Sequence, residues 1–171
     1  TPAAPVVNSS ASVTWQWSAP TVGTDPFGAS VQASSGGAVS VSLSSTTTAY
    51  TETGLSANTA YTRLVRTANG FGNTDSVTMS TVTLANPPST PSFSGVGQGG
   101  VTVVWTPGTG AAGAYAVIRS TTASQEGVTP LVSSTAFTSY GDSGLTPGTT
   151  YYYSILSYNW AGNGDVTSQP P

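Results

Sequence analysis

The side chains that could carry chemistry in this chain are few. The sequence contains no histidine and no cysteine, only three basic residues and six acidic ones. Without imidazole or thiol groups, neither a Ser-His-Asp nor a Cys-His nucleophile system can be assembled. Zinc sites also lose their usual ligands, and disulfide bonds are excluded. Any catalysis would therefore depend on carboxylates alone.

The six carboxylates are scattered along the sequence. Glycoside hydrolysis needs two acids ~5–9.5 Å apart, and calcium needs several oxygen ligands from one loop. No loop holds two acids close together, and Glu52 and Asp142 occupy equivalent places in two repeats, where we expect them to cap turns. We therefore predict no catalytic residue, no metal and no cofactor. The acids are Asp25, Glu52, Asp75, Glu126, Asp142 and Asp165.

The overall charge excludes two classes of partner. Charged residues make up 5% of the chain, and its formal net charge is −3. A protein that binds nucleic acid or an anionic membrane surface needs a cluster of Lys or Arg, and none exists here. No apolar run approaches the ~20 residues of a membrane span. With 37% hydrophobic residues, the chain can nevertheless build a core.

An internal repeat organises the chain. Residues 50–61 read Tyr-Thr-Glu-Thr-Gly-Leu-Ser-Ala-Asn-Thr-Ala-Tyr, and residues 140–151 read Tyr-Gly-Asp-Ser-Gly-Leu-Thr-Pro-Gly-Thr-Thr-Tyr. Residues 13–17 match residues 101–105 in the same way, and a proline-containing linker repeats after each unit. The repeat predicts two domains of ~85–90 residues, 1–86 and 87–171. We interpret the chain as a fragment of a longer array.

Alternating side chains predict strands throughout. Val13, Trp15 and Trp17 alternate with polar residues, and in the second unit Tyr115 and Val117 alternate with Ala116 and Ile118. Gly-Gly, Asn-Gly and Pro-Gly pairs separate these runs, as expected for turns between strands. No stretch has the periodicity of an amphipathic helix. The predicted class is all-β, with two tandem β-sandwiches of about seven strands each.

The repeated pattern Tyr-x-Asp/Glu-x-Gly-Leu-x-Pro-Gly-Thr-x-Tyr, followed by Asn-x-x-Gly, resembles the fibronectin type III domains of bacterial secreted proteins. The resemblance covers both halves and implies immunoglobulin-like sandwiches. It departs from the family at Ala57-Asn58, where Pro-Gly is usual, and at Arg63, where an apolar residue is usual. The resemblance implies that three residues of each unit belong to the structural core: a buried tryptophan, a leucine and a corner tyrosine. These are Trp17, Leu55 and Tyr61, then Trp105, Leu145 and Tyr151.

One feature of the second unit goes beyond a scaffold. If Tyr151 and Tyr153 point inward, alternation turns other large side chains of the same strand outward. The first unit has small or polar residues at most equivalent positions, so we predict an interaction surface that is specific to the second unit. It could contact protein or sugar, or be covered by a neighbouring domain or by residues 123–132. The predicted surface is Ile118, Tyr152, Leu156, Tyr158 and Trp160.

Two functions fit this sequence. The first is a structural and interaction module, one repeat of an extracellular surface protein, stalk or fibre that contacts other copies or domains. The alternative is an accessory module, either spacer or glycan-contacting, of a secreted polysaccharide-degrading enzyme. Both place the chain outside the cell or on its surface. The fold by itself cannot choose between them.

Overall fold

A computed structural model describes residues 1–19, 28–33, 41–44, 46–69, 72–110, 114–125, 128–162 and 164–166. Within these ranges the chain forms β-strands, and no helix is long and apolar enough to cross a membrane. The chain divides into two compact units, Thr1–Thr83 and Leu84–Pro171. The repeat predicts this boundary after Asn86. In the structure the Asn86 side chain donates a hydrogen bond to Thr109 of the second unit, at 2.7 Å.

The first unit consists of two antiparallel sheets. One sheet has the order β1-β2-β5, and the other has the order β4-β3-β6-β7, with β8 also paired to β6. β7 and β8 pair with opposite ends of β6, so they lie along a single edge. The strands are β1 (Val6–Ser9), β2 (Ser12–Gln16), β3 (Gly28–Ala33), β4 (Val41–Leu43), β5 (Ala49–Thr53), β6 (Ala60–Asn69), β7 (Gly72–Asp75) and β8 (Met79–Val82).

The second unit repeats this plan. Its sheets have the orders β13-β10-β9 and β12-β11-β14-β15. The predicted all-β class, with two sandwiches in tandem, is confirmed. The strands are β9 (Ser92–Gly97), β10 (Gly100–Val104), β11 (Ala114–Ser120), β12 (Val132–Thr135), β13 (Ser139–Ser143), β14 (Tyr152–Tyr158) and β15 (Gly164–Val166).

The core of the first unit is built on β2. Val13, Trp15 and Trp17 share one face of this chain segment because side chains alternate along a strand, and all three are buried. Trp17 keeps only 6% of its surface exposed. Leu55 and Tyr61 are half-buried and pack against this cluster. Burial of such aromatic area contributes most of the packing free energy of a small sandwich.

The core of the second unit is built on β10, β11 and β14. Trp105 is 3% exposed, and its ring meets that of Tyr115 edge-on, with centroids 5.6 Å apart. Tyr151 packs against the cluster from its rim. Leu145 is half-buried and lies in the wall of a surface groove instead. Among the described residues, the buried indole nitrogen of Trp105 has no hydrogen-bond partner.

Both units have the same tyrosine-anchored turn. The Tyr61 hydroxyl accepts a hydrogen bond from the Ser56 backbone N–H at 2.8 Å, and Tyr151 accepts one from Thr146 at 3.1 Å. The turn requires one residue with positive φ, which is 49° at Asn58. In the second unit a glycine takes this place. Asparagine tolerates the left-handed region better than most residues, so the Ala57-Asn58 departure preserves the turn.

Candidate functional site

The outward face of β14 holds most of the predicted interaction surface. The register with β11 pairs Ala114 with Tyr158, Ala116 with Leu156, and Ser120 with Tyr152. Directly paired residues of an antiparallel ladder lie on the same face of the sheet. Tyr152, Leu156 and Tyr158 therefore share one face, and each of them is half-buried.

Ile118 does not belong to an exposed surface, and this prediction is wrong. It lies on the same face, opposite Ser154, but only 9% of it is exposed. Ser154 is buried too, and its hydroxyl donates a hydrogen bond to the Gln125 side chain. The segment that follows β11 thus folds back over the middle of this face. The expected stripe is divided, with Tyr152 on one side and Leu156 and Tyr158 on the other.

Trp160 stands on a tightly bonded turn at the end of β14. Its neighbour Asn159 is buried, with 2% exposure, and the Asn159 Oδ1 atom accepts the Ala161 N–H at 3.0 Å. The Asn159 carbonyl accepts the Gly162 N–H, also at 3.0 Å. Gly162 has a φ of 83°, which a residue with a Cβ atom rarely adopts. The turn holds the Trp160 indole outward, 62% exposed.

A pocket of about 510 Å³ lies beside this indole. Tyr158 and Trp160 form its aromatic part, and Ser133 and Ser134 form its hydroxylic part. A β-bulge puts the serines there: β12 has one extra residue between the pairs Tyr115–Thr135 and Val117–Val132. The described lining carries no charged side chain. It consists of Ala114, Ser133, Ser134, Tyr158, Asn159, Trp160 and Gly162.

A larger groove, of about 720 Å³, runs between the β9–β10 hairpin and the turn before β14. Phe93, Leu145 and Tyr151 line it. In the first unit the corresponding wall is covered by the end of β8 and by Thr83, whose hydroxyl donates to the Ser56 carbonyl at 2.7 Å. We assign no ligand to this groove.

The prediction that Glu52 and Asp142 cap turns is wrong, because both carboxylates are buried in ion pairs. Glu52 accepts hydrogen bonds from Arg63 Nε at 2.9 Å, Arg63 Nη2 at 2.6 Å and Trp15 Nε1 at 2.8 Å. Only 8% of the Arg63 side chain and 5% of the Glu52 side chain are exposed. The guanidinium also lies 5.2 Å from the Tyr61 ring centroid, a cation–π distance. The signal was present in the sequence, since Glu52 has the same strand parity as the half-buried Tyr50.

Asp142 has different partners in the second unit. Arg119 Nη1 lies 2.9 Å from both of its oxygens, and the Tyr153 hydroxyl donates to Oδ2 at 2.6 Å. Burial raises the pKa of Tyr153, and the bond to Asp142 and the charge of that carboxylate raise it further. Burial works against the charge of Arg119, but the hydrogen bond and charge of Asp142 outweigh it and raise the pKa of Arg119. Each carboxylate therefore serves the fold.

The structure does not describe the side chains of the other four acids. Asp25 and Glu126 are outside the described residues, and so are the side chains of Asp75 and Asp165. Among the described residues, no three acidic groups come close enough to hold a metal ion.

Two sandwiches with repeated tyrosine corners define a class of immunoglobulin-like modules, and the comparisons identify the family. The fibronectin type III domain matches residues 86–171, half of the chain. The structure of a two-domain fibronectin type III segment from chicken tenascin matches with a TM-score of 0.51 and 22% identity, over 98% of each chain. That likeness concerns the fold alone. The chain belongs to the fibronectin type III family.

Two curated relatives are glucanases from Cellulomonas fimi. Endoglucanase B is 32% identical over 98% of this chain, and exoglucanase B is 34% identical over 72% of it. The chain spans 17% of the first relative's length and 12% of the second's.

Proposed function

We propose that this chain is a non-catalytic accessory segment of a secreted glucan-degrading enzyme. The observation that carries the proposal is the similarity to endoglucanase B, which extends over 98% of the chain but only 17% of the relative. A segment of that size leaves room for a separate catalytic domain. A glucan polymer supplied outside the cell is too large to cross the membrane, so an enzyme that degrades it works outside the cell or at its surface.

The carboxylates support a non-catalytic role. A retaining or inverting glycosidase needs two acids that face one substrate, ~5–9.5 Å apart. Glu52 and Asp142 belong to different units, and each is held in a buried ion pair. A carboxylate fixed in this way is not available to protonate a glycosidic oxygen or to attack a sugar.

Deletion tests this proposal. Removal of residues 1–171 from the enzyme that we propose contains them should leave hydrolysis of a soluble glucan unchanged and slow hydrolysis of an insoluble one. The reason is that a tethered contact with the polymer raises the local concentration of the catalytic domain at its surface. The isolated chain should release no reducing sugar. Release of sugar by the isolated chain, or equal rates on insoluble glucan with and without it, would overturn the proposal.

The complete reading frame that encodes this chain would distinguish the accessory segment from the stalk or fibre predicted from the tandem repeat. Many further repeats and an anchoring segment, without a hydrolase domain, would favour it. In that case Tyr152, Leu156 and Tyr158 become candidates for contact with other copies, because Tyr is enriched at interface hot spots. Leu156→Ser combined with Tyr158→Ser should then abolish self-association in sedimentation experiments while the fold is retained.

A further inference from the structure

We propose that the pocket beside Trp160 is a binding site for a short segment of neutral glucan chain. This inference rests on the proposed function and adds the site, the residues and the class of ligand. The pocket lies in the second unit, between the β14 turn and the bulge of β12. Its volume of about 510 Å³ is within the usual range for small-ligand sites.

The aromatic side chains suit the flat side of a sugar ring. A pyranose ring presents C–H groups on its faces, so it packs on an exposed indole and removes apolar area from water. Trp160 is 62% exposed, and the half-buried Tyr158 lies in the same wall. The turn at Asn159 and Gly162 fixes the backbone beneath the indole. A fixed platform loses little conformational entropy when the ligand binds.

The polar part of the pocket suits the edge of a sugar. The serine hydroxyls at 133 and 134 can each donate and accept a hydrogen bond, as sugar hydroxyls do. The bulge in β12 brings both serines to the pocket, although they are adjacent in sequence and would otherwise alternate between faces. The described lining has no arginine to pair with a phosphate or carboxylate, and no acid to pair with an amine. A neutral polyhydroxylated ligand matches this chemistry.

The repeat supplies an internal comparison. The offset that aligns Tyr151 with Tyr61 places Ala68 at the position of Tyr158 and Gly70 at the position of Trp160. The aromatic pair is therefore present in the second unit and absent from the sequence of the first. We infer one glucan site per chain, and it lies in the second unit.

The test uses the whole 171-residue chain and three soluble probes: cellohexaose, laminarihexaose and maltohexaose. Binding is measured by calorimetry, and the contact is located by chemical-shift changes of the Trp160 indole N–H. At least one probe should bind with a stoichiometry of one. Trp160→Ala should weaken that binding about tenfold or more, as expected when a central aromatic contact is lost. Trp160→Phe should restore part of it.

Phe137→Ala is the matched control, because Phe137 is an exposed aromatic of the same unit, at 76%, that does not line the pocket. It should leave binding unchanged. Equal loss in both variants would mean non-specific adsorption to aromatics and would overturn the site. Two further outcomes would also overturn it: no binding of any probe, or binding that Trp160→Ala does not weaken. Neither outcome refutes the non-catalytic accessory role, which the deletion experiment and the sugar-release assay of the isolated chain test separately. An unchanged thermal midpoint in both variants shows that the fold is retained.

Discussion

Removal of the arginine from the buried ion pair of the first unit tests how much an unpaired buried carboxylate destabilises this fold. In Arg63→Met an unbranched apolar side chain remains, but Glu52 loses the donors at 2.9 and 2.6 Å and keeps only the Trp15 indole at 2.8 Å. An uncompensated buried charge costs ~3–5 kcal/mol of folding free energy. A domain of this size has ~5–15 kcal/mol in total. The first unit should therefore become marginal.

The charge itself, rather than lost packing, should account for most of this cost. We expect the double variant Arg63→Met with Glu52→Gln to be more stable than Arg63→Met alone by about 1–3 kcal/mol, because the buried negative charge is gone. The glutamine carbonyl can still accept the Trp15 N–H. If the double variant is no more stable than the single one, the unpaired carboxylate is not the source of the penalty and the reasoning fails.

Urea unfolding of the whole chain, monitored by tryptophan fluorescence, measures both changes in stability. Arg119→Met is the matched control in the second unit. Its side chain is 28% exposed, and Asp142 keeps the Tyr153 hydroxyl at 2.6 Å, so we expect a smaller loss of ~1–3 kcal/mol. Arg63→Met should shift the transition of one unit and Arg119→Met that of the other. Equal losses in the two units would contradict the argument from burial.

Three further predictions test other parts of the structure. Because the pKa of Tyr153 is raised in the folded state, the unfolded chain loses this proton first above pH ~10. Stability should therefore fall as the pH rises through that range, and Tyr153→Phe should flatten the slope in alkaline urea melts. Gly108→Ala should destabilise the second unit by ~1–3 kcal/mol, since its Cβ would lie 2.3 Å from a linker carbonyl oxygen, whereas Gly141→Ala meets no atom within 4 Å and should be tolerated. Tyr61→Phe leaves the Ser56 N–H without its acceptor. The free energy of unfolding should fall by ~1 kcal/mol, and the thermal midpoint should fall with it. An unchanged midpoint would mean that water replaces the tyrosine.

Local sequence patterns were sufficient to predict the fold. The alternation in β2 puts Val13, Trp15 and Trp17 on one face, and the structure buries all three. The aligned tyrosines anchor equivalent turns in both units. These features depend on residues close in sequence and on a period of two, and both can be read from the chain directly.

Side chains that meet across the sheets were not predictable in the same way. Ile118 has the parity of an outward residue, and this parity is correct. Its burial depends on the segment after β11, which folds back over the sheet and contacts Ser154 through Gln125. The alternation of residues along a strand does not predict such a contact. The Ser133–Ser134 bulge was missed for a related reason. One extra residue in β12 becomes visible only when its pairing with β11 is known.

The positions of two arginines explain the departure from the family pattern at position 63. Arg63 stands where an apolar residue is usual, on β6, whereas Arg119 belongs to β11, the equivalent of β3. The register pairs Ala33 with Arg63 and Arg119 with Tyr153, so the arginines occupy directly opposed positions of one strand pair. From either position the guanidinium reaches the carboxylate held at the same place in the repeat.

The constraint is therefore on the donors around a buried carboxylate, and not on the strand that supplies them. Where Arg63 occupies the β6 position, the indole of Trp15 supplies the additional donor. In the second unit Tyr153 occupies that position and donates its hydroxyl, while the equivalent of Trp15 is Val103, which has no donor to offer. A buried charge is tolerated only when it is paired and hydrogen-bonded. The three donor positions thus differ together between the two units, and each arrangement supplies the buried carboxylate with an arginine and one further donor.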